Sequence, residues 1–166
     1  LDASTFRDRY VVTLEDNSLM KETEAQIRAT LPDAHLLLIP RTLENLVKNG
    51  RAPKLAGQLT QMLNIRLAVS PEWKSGEIKA VKKGRGAKRI VANTMADCLA
   101  FLAEHPGSSV RVLTTGAAEE QELVNQALAG QNYVDAGTGP IGCTIATHVG
   151  VDAIAISYCP RYQPTN

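Results

Sequence analysis

The residue whose type and setting best suit chemistry is His148, which stands in the stretch Ala146-Thr147-His148-Val149-Gly150. An imidazole changes its protonation near neutral pH, so it can donate a hydrogen bond to a carboxylate or act as a base. Gly150 permits close approach of backbone or of a ligand, and the Thr147 hydroxyl can join the hydrogen bonding. The stretch therefore predicts either a binding site or a half-buried histidine that the fold itself satisfies.

Two nucleophiles, Cys143 and Ser157, stand near this histidine in the sequence, and either would make a hydrolase or a transferase with it. We expect residues 143–148 to form a strand. In a strand, Cys143 and His148 would be roughly 16 Å apart, at about 3.3 Å per residue, and on opposite faces. This spacing disfavours the pair. Because no Cys and His pair has the spacing of metal ligands, we also expect no metal.

A glycine pattern, G-x-G-x-x-G at Gly137, Gly139 and Gly142, follows a predicted strand and matches the dinucleotide-binding fingerprint. The fingerprint requires a helix directly after the glycines, whereas Pro140 and Thr144 favour extended structure. No acidic residue follows at about twenty positions to hold a ribose. We therefore expect a glycine-bearing loop between two strands and no nucleotide cofactor.

Six basic residues lie within positions 79–89, where Gly84 and Gly86 allow the backbone to turn before a helix; they are Lys79, Lys82, Lys83, Arg85, Lys88 and Arg89. Such a cluster suits a phosphate or an acidic partner, and Arg85, Lys88 and Arg89 are the expected contacts. A solvated strand end is the simpler alternative. The cluster contains no aromatic residue for base stacking and the net charge is +1, so we expect no nucleic acid.

The composition is that of one compact domain, with 166 residues of which 44% are apolar and 21% charged. Three widely spaced cysteines do not form a disulfide framework and suit a reducing compartment, so we expect a cytoplasmic protein. No stretch is apolar enough to span a bilayer. Because the chain begins at Leu1 without a signal-peptide pattern, we expect that its true beginning is missing.

Apolar periods of three and four predict helices over residues 18–31, 42–48, 54–63, 86–104 and 117–129. Short apolar runs predict strands over residues 34–39, 65–70, 76–82, 109–113, 132–135, 143–148 and 153–158, of which 65–70 and 76–82 form a hairpin. Residues 1–16 have no clear period, and residues 17–166 form the domain. This alternation predicts an α/β domain in which helices cover one mixed sheet.

Three stretches stand in a characteristic order along the chain: residues 43–51 followed by Lys54 and residues 63–65, residues 76–78 leading to 85–89, and residues 145–150. Their order and spacing resemble the DegV family of bacterial fatty-acid-binding proteins, which includes the acyl-binding subunit of fatty acid kinase. The first stretch is similar to the family's leucine-x-x-leucine and glycine-arginine block. The third carries the family's C-terminal histidine, here His148.

The resemblance implies that the chain is the C-terminal domain of such a protein. It then binds a long-chain fatty acid without cofactor or chemistry of its own, with His148, Thr147 and Gly150 at the carboxylate. Implied partners are a kinase catalytic subunit, which phosphorylates the carboxylate from ATP, and the family's preceding domain, whose Ser and Thr residues complete the head-group site. After its histidine the family continues Thr-Gly-Pro-Gly, whereas this chain has Val149-Gly150-Val151-Asp152.

A fatty acid also needs a long apolar slot. We expect its walls, or alternatively a plain core, to be formed by Leu55, Leu59, Met62, Val91 and Met95. Two other functions remain open from the residues alone: a hydrolase or transferase using His148 with a nearby nucleophile, and a regulatory interaction domain.

Overall fold

A computed structural model describes residues 33–56, 64–72, 75 and 77–161 of the chain. The predicted helix over residues 18–31, most of the helix over 54–63 and the segment 1–16 lie outside these residues. The domain limits of 17–166 therefore stay a prediction.

Within the described residues, six strands form one sheet in the order β3-β2-β1-β6-β4-β5. The strands are β1 His35–Ile39, β2 Ile65–Pro71, β3 Ile78–Arg85, β4 Ser109–Thr114, β5 Val134–Pro140 and β6 Ile154–Cys159. β4 and β5 run parallel, and every other neighbouring pair is antiparallel. The predicted mixed sheet is confirmed, and so is the hairpin, which is β2 and β3.

The helices of the described residues are α1 Glu44–Lys48, α2 Gly86–Glu104, α3 Ala118–Leu128 and α4 Cys143–Val149, with a 3-10 turn at Pro53–Leu55. α1, α2 and α3 confirm three predicted helices. α2 buries one stripe of side chains against the sheet, at the three-and-four spacing that predicted it. No helix of the described part is long and apolar enough to cross a membrane.

α4 contradicts the strand predicted over residues 143–148. The β-branched residues of this segment favour extended structure, but intrinsic propensity is weak beside tertiary packing. The helix starts after Gly142, buries Val149 and Ala146 against the sheet, and ends at Gly150, whose φ of 78° is left-handed. Glycine adopts a positive φ without the steric penalty of a Cβ atom, so the chain can leave the helix here.

Helices cover both faces of the sheet. Along β1, Leu37 and Ile39 belong to the apolar cluster with α2 and α3, whereas Leu38 belongs to the cluster with α1 and α4. Because successive side chains of a strand point to opposite faces, these clusters are two separate cores. The domain therefore has three layers, and α4 with His148 lies on the α1 side.

The positions of the two cores test whether the predicted wall residues can line one acyl slot. Val91 and Met95 are buried in the core under α2 and α3, while Leu55 lies in the core on the other face. These three residues cannot line one slot, so for Val91 and Met95 the alternative of a plain core is right. Leu59 and Met62 lie outside the described residues.

At the junction of β3 and α2, the chain turns too tightly for a side chain. A Cβ atom on Gly84 would lie 2.5 Å from the backbone nitrogen of Ile90 and 2.7 Å from its Cα. Gly86 has a φ of 71° and donates its N–H to the Asn64 carbonyl at 3.1 Å. Glycine at position 84 therefore allows the end of β3 to pack directly on the first turn of α2.

A buried ion pair joins β2 to α3. The Arg66 guanidinium donates through Nη1 to Glu120 Oε1, and through Nη2 to the Pro40 carbonyl at 3.4 Å. The side chains of Arg66 and Glu120 are only 9% and 5% exposed. Desolvation by burial, assisted by the positive charge of Arg41, lowers the pKa of Arg66. The pair thus holds two charges out of water within the described structure.

Candidate functional site

His148 lies in the last turn of α4 and is half-buried; the expectation that it ends a strand is wrong. Its Nδ1 atom is buried and has no hydrogen-bond partner among the described residues. A buried nitrogen without a partner costs free energy, and in native proteins such a group is explained by strain, by an ordered water or ion, or by a functional role. The imidazole is therefore suited to a hydrogen bond with another molecule.

The helix also changes the geometry of the possible nucleophile. Cys143 and His148 are separated by about 7.5 Å along the axis of α4, because a helix rises about 1.5 Å per residue. The distance of roughly 16 Å expected for a strand is wrong. Five positions at about 100° each still leave the two side chains about 140° apart around the axis. Cys143 is an exposed free cysteine, and this arrangement does not pair it with the imidazole.

The buried thiol of Cys98 is no better a nucleophile. Desolvation by burial raises its pKa to about 12. Because the thiolate is the reactive form, Cys98 is a structural core residue. Among the described residues, no three His, Cys, Asp or Glu side chains are arranged to hold a metal ion.

Two asparagines of the α1 region hold the end of α4. Asn49 Nδ2 donates to the Thr147 carbonyl at 3.3 Å. A Cβ atom on Gly150 would lie 2.6 Å from Asn45 Nδ2, so the glycine lets this amide approach the backbone. The Thr147 hydroxyl is exposed and donates to the Cys143 carbonyl at 2.8 Å. Gly150 and Thr147 thus have structural contacts that adjoin His148.

The turn between α4 and β6 is held by Thr115, which follows β4. The Thr115 hydroxyl donates to the Gly150 carbonyl at 2.8 Å and accepts from the Ala153 N–H at 2.9 Å. The Thr115 N–H donates to the Ala153 carbonyl at 2.9 Å, and its carbonyl accepts from the Asp152 N–H at 3.3 Å. Sequence reasoning missed Thr115, although a hydroxyl directly after a strand and before a glycine is a usual turn signal.

Apolar side chains flank the histidine on the surface. Ile145 is 49% exposed and Val151 is 74% exposed. They stand three positions before and three positions after His148. A half-buried imidazole with exposed apolar residues near it in the chain suits a ligand or a partner that is itself part polar and part apolar.

The basic cluster divides into paired and unpaired residues. Lys79 forms an ion pair with Glu72 at 2.5 Å, and Lys82 forms one with Asp97 at 2.8 Å. Arg85, at the end of β3, is exposed, as are Lys88 and Arg89 in the first turn of α2. These three form no ion pair with any residue that the structure describes. Their predicted exposure is confirmed, while their partner stays a prediction.

A cleft of about 350 Å³ opens between the loop after β1, the start of β2 and the first residues of α2. Its lining carries charges of both signs. Arg41 and Arg66 are the basic residues, and Glu44 and Glu119 are the acidic residues. None of His148, Thr147 and Gly150 lines this cleft. The cleft and the histidine are therefore separate features of the surface.

The glycine pattern does precede a helix, contrary to expectation, because α4 starts directly after Gly142. The wider topology nevertheless differs from a dinucleotide fold. There, the helix leads to a strand parallel to the one before it. Here α4 leads to β6, which is antiparallel to β4, whereas β5 is parallel to β4. The expectation of a glycine-bearing loop is also wrong, because Gly137 and Gly139 lie within β5 and only Gly142 lies between β5 and α4.

Comparison with known proteins agrees with this fold. A family model described as "uncharacterised protein, DegV family" matches residues 10–161. A DegV domain-containing protein of Clostridium acetobutylicum is 26% identical over 150 residues, covering 89% of this chain and 52% of that protein. The chain thus spans about half the length of this curated relative.

Two solved structures have the same architecture. The Streptococcus pneumoniae fatty acid kinase (Fak) B3 protein, loaded with linoleic acid, superposes with a TM-score of 0.70 at 22% identity, over 87% of this chain and 53% of that one. A fatty acid binding DegV family protein of Streptococcus agalactiae superposes with a TM-score of 0.68 at 21% identity, over 88% of this chain and 54% of that one. At these identities the likeness shows the fold.

Proposed function

Because the chain belongs to the DegV family, we propose that it is the C-terminal half of a fatty-acid-binding protein in which His148 contacts the carboxylate. The observation that carries this proposal is the buried Nδ1 of His148 without a partner in the described part of the chain. A carboxylate is a strong acceptor for an imidazole N–H. The relatives from Streptococcus agalactiae and Streptococcus pneumoniae are named for fatty acid binding and for bound linoleic acid.

The surroundings of His148 support an acyl ligand over a small polar one. Exposed Ile145 and Val151 provide apolar contact beside the histidine. The remaining polar contacts and most of the apolar slot would come from the preceding domain that the family resemblance implies. We call the chain joined to that domain the two-domain protein. Thr147 and Gly150 belong to this site because their backbone adjoins the imidazole.

In this proposal the protein binds the acid and performs no reaction itself. A separate fatty acid kinase subunit phosphorylates the carboxylate from ATP, as the name of the Streptococcus pneumoniae relative suggests by analogy. Since the kinase step uses ATP, we place the protein in the cytoplasm. The unpaired residues Arg85, Lys88 and Arg89 provide a positive surface for an acidic face of the kinase.

Replacing His148 by alanine in the two-domain protein is expected to weaken linoleic acid binding roughly 10- to 100-fold. A hydrogen bond to a charged group is worth about 1.5–3 kcal/mol, and 1.4 kcal/mol is about tenfold in affinity. Isothermal titration calorimetry measures the change. The matched control is H105A, because His105 is an exposed imidazole at the other end of the fold, after α2. Equal affinities for parent, H148A and H105A would remove His148 from the site.

Lipid extraction separates binding from catalysis. Mass spectrometry of an organic extract of the purified two-domain protein is expected to show a co-purified fatty acid. A protein that carries no lipid, but that hydrolyses an ester with loss of activity in H148A, would support the hydrolase instead. If the protein has neither property, the remaining function is that of a regulatory interaction domain.

Reversing Arg85 and Lys88 to glutamate is expected to slow association with the kinase subunit about tenfold at low salt, because exposed charges act mainly on the association rate. The thermal midpoint should change little, since both side chains are exposed. Stopped-flow or surface plasmon resonance gives the rate. The variant K48E/R161E changes the net charge equally at other exposed positions. If both variants associate at the parent rate, the cluster is only a solvated edge.

A further inference from the structure

The turn of residues 150–153 has little packing of its own at its tip. Val151 is 74% exposed, and Asp152 has a φ of 55°, a left-handed conformation that Asp adopts more readily than most residues other than glycine. Because its tip is not packed, the turn depends on hydrogen bonds from the rest of the chain to keep one conformation. In the described structure, four of these bonds come from Thr115 and one comes from the hydroxyl of Thr114.

Thr115 contacts both ends of this turn. Its hydroxyl donates to the Gly150 carbonyl and accepts from the Ala153 N–H, while its backbone adds bonds to Ala153 and Asp152. The Gly150 N–H in turn donates to the Ala146 carbonyl at 2.8 Å and closes the last turn of α4. Two hydrogen bonds therefore connect the Thr115 hydroxyl to the helical turn that contains His148.

We propose that Thr115 is a positioning residue that sets the orientation of the His148 imidazole through the Gly150 carbonyl. The inference rests on the proposed function, since its consequence for binding requires His148 at the carboxylate. Thr115 itself touches no ligand in this proposal. A hydrogen bond that fixes the backbone two residues from a side chain restricts where that side chain can point, and binding then needs no further ordering.

The neighbouring Thr114 makes different hydrogen bonds from those of Thr115. Its hydroxyl accepts from the N–H groups of Gly116 and Ala117, at 3.0 and 2.9 Å, and so stabilises the turn that leads into α3. It also donates to the Ala153 carbonyl at 3.1 Å. It makes no hydrogen bond to Gly150 in the described structure. Of these two threonine hydroxyls, that of Thr115 is the one that forms a hydrogen bond to Gly150 at the end of α4 in the described structure.

The test compares three variants of the two-domain protein. T115V removes the hydroxyl and keeps the shape of the side chain, T115S keeps the hydroxyl, and T138V makes the same chemical change at an exposed residue of β5. The first readout is the set of ring ¹⁵N signals of His148 at one fixed pH without ligand. The second is the dissociation constant for linoleic acid, and the third is the thermal midpoint.

We expect T115V to shift the His148 ring signals and to weaken linoleic acid binding about fivefold, the effect of losing one neutral hydrogen bond. T115S should restore both properties, and T138V should match the parent. A merely structural residue would lower the thermal midpoint without moving the ring signals. T115A carries the same expectation as T115V and replaces it if the valine variant does not fold.

The outcomes distinguish the two proposals. Unchanged His148 signals in T115V and T115A would overturn the positioning role, whether or not the parent binds linoleic acid. If T115V shifts the His148 signals but the parent protein binds no linoleic acid, the result would support the positioning role and contradict the proposed function. Shifted signals with unchanged affinity would overturn the claim that the orientation of His148 matters for binding.

Discussion

Replacing Gly84 by alanine is expected to lower the free energy of unfolding by about 3 kcal/mol, since overpacking in a tight site costs about 1–3 kcal/mol and occasionally more. The added Cβ would lie 2.5 Å from the Ile90 nitrogen and 2.7 Å from its Cα. Both are backbone atoms, so no side chain can rotate away. Relief requires α2 to move off β3, and Ile90 is fully buried there.

Urea denaturation followed by circular dichroism measures this change as a lower midpoint. The matched control is G142A. Gly142 has a φ of −58°, which alanine adopts readily, and a Cβ there would meet no atom within 4 Å. We expect G142A to unfold within about 0.5 kcal/mol of the parent, as for most surface substitutions. If G84A and G142A unfold at the same urea concentration, the tight contact does not exist in solution.

Removing one partner of the buried ion pair is expected to have a comparable or larger effect. Glu120→Leu leaves the Arg66 guanidinium buried without its carboxylate, and breaking such a pair costs about 3–5 kcal/mol. Burial already lowers the pKa of Arg66, which shows that the charged form is penalised there. Urea denaturation of E120L at neutral pH should show this loss.

The double variant R66M/E120L provides the control for the ion pair. With both charges replaced by apolar side chains, no buried charge remains, so most of the lost stability should return. This recovery separates the effect of the unpaired charge from that of altered packing. A double variant no more stable than E120L would mean that shape, and not charge, determines the stability at this position.

The longer elements of the fold could be predicted because each had its own signal. The apolar stripe containing Val91, Met95 and Cys98 runs along α2 at helical spacing, and all three side chains are buried. The β2–β3 hairpin followed from two short runs separated by turn residues. These signals are local, so a single sequence contains them.

α4 could not be predicted from the same signals. Its seven residues include Thr144, Ile145 and Thr147, which favour strands. What stabilises the helix is contact with distant parts of the chain, namely Asn49 and the core around Val149. The clue in the sequence was the spacing of two glycines, one before the first turn and one after the last, which is a weak signal by itself.

Only part of the candidate site could be predicted from the sequence, because its other residues come from distant parts of the chain. The histidine was identified by its type and by the family motif, which depend on the sequence alone. Thr115 and Asn45, which contact Gly150 at the end of α4, are 33 and 103 positions away from His148, and only the folded chain brings them to this helix. Arg66 was missed although a charge within an apolar strand is an anomaly that could have indicated a buried pair.

The strand order has a consequence for how the domain is made in the cell. β6 is the last strand in the sequence, yet it lies between β1 and β4 and is the strand through which the two groups β3-β2-β1 and β4-β5 are joined in the described sheet. While the ribosome is still adding residues before Ile154, the described strands can form a three-strand piece and a two-strand piece, each with an open edge. Synthesis proceeds at about 5–20 residues per second, so β1 is made several seconds before β6, its neighbour in the sheet. The described sheet is therefore completed only after β6 has been synthesised, and until then the nascent chain offers unpaired strand edges to chaperones.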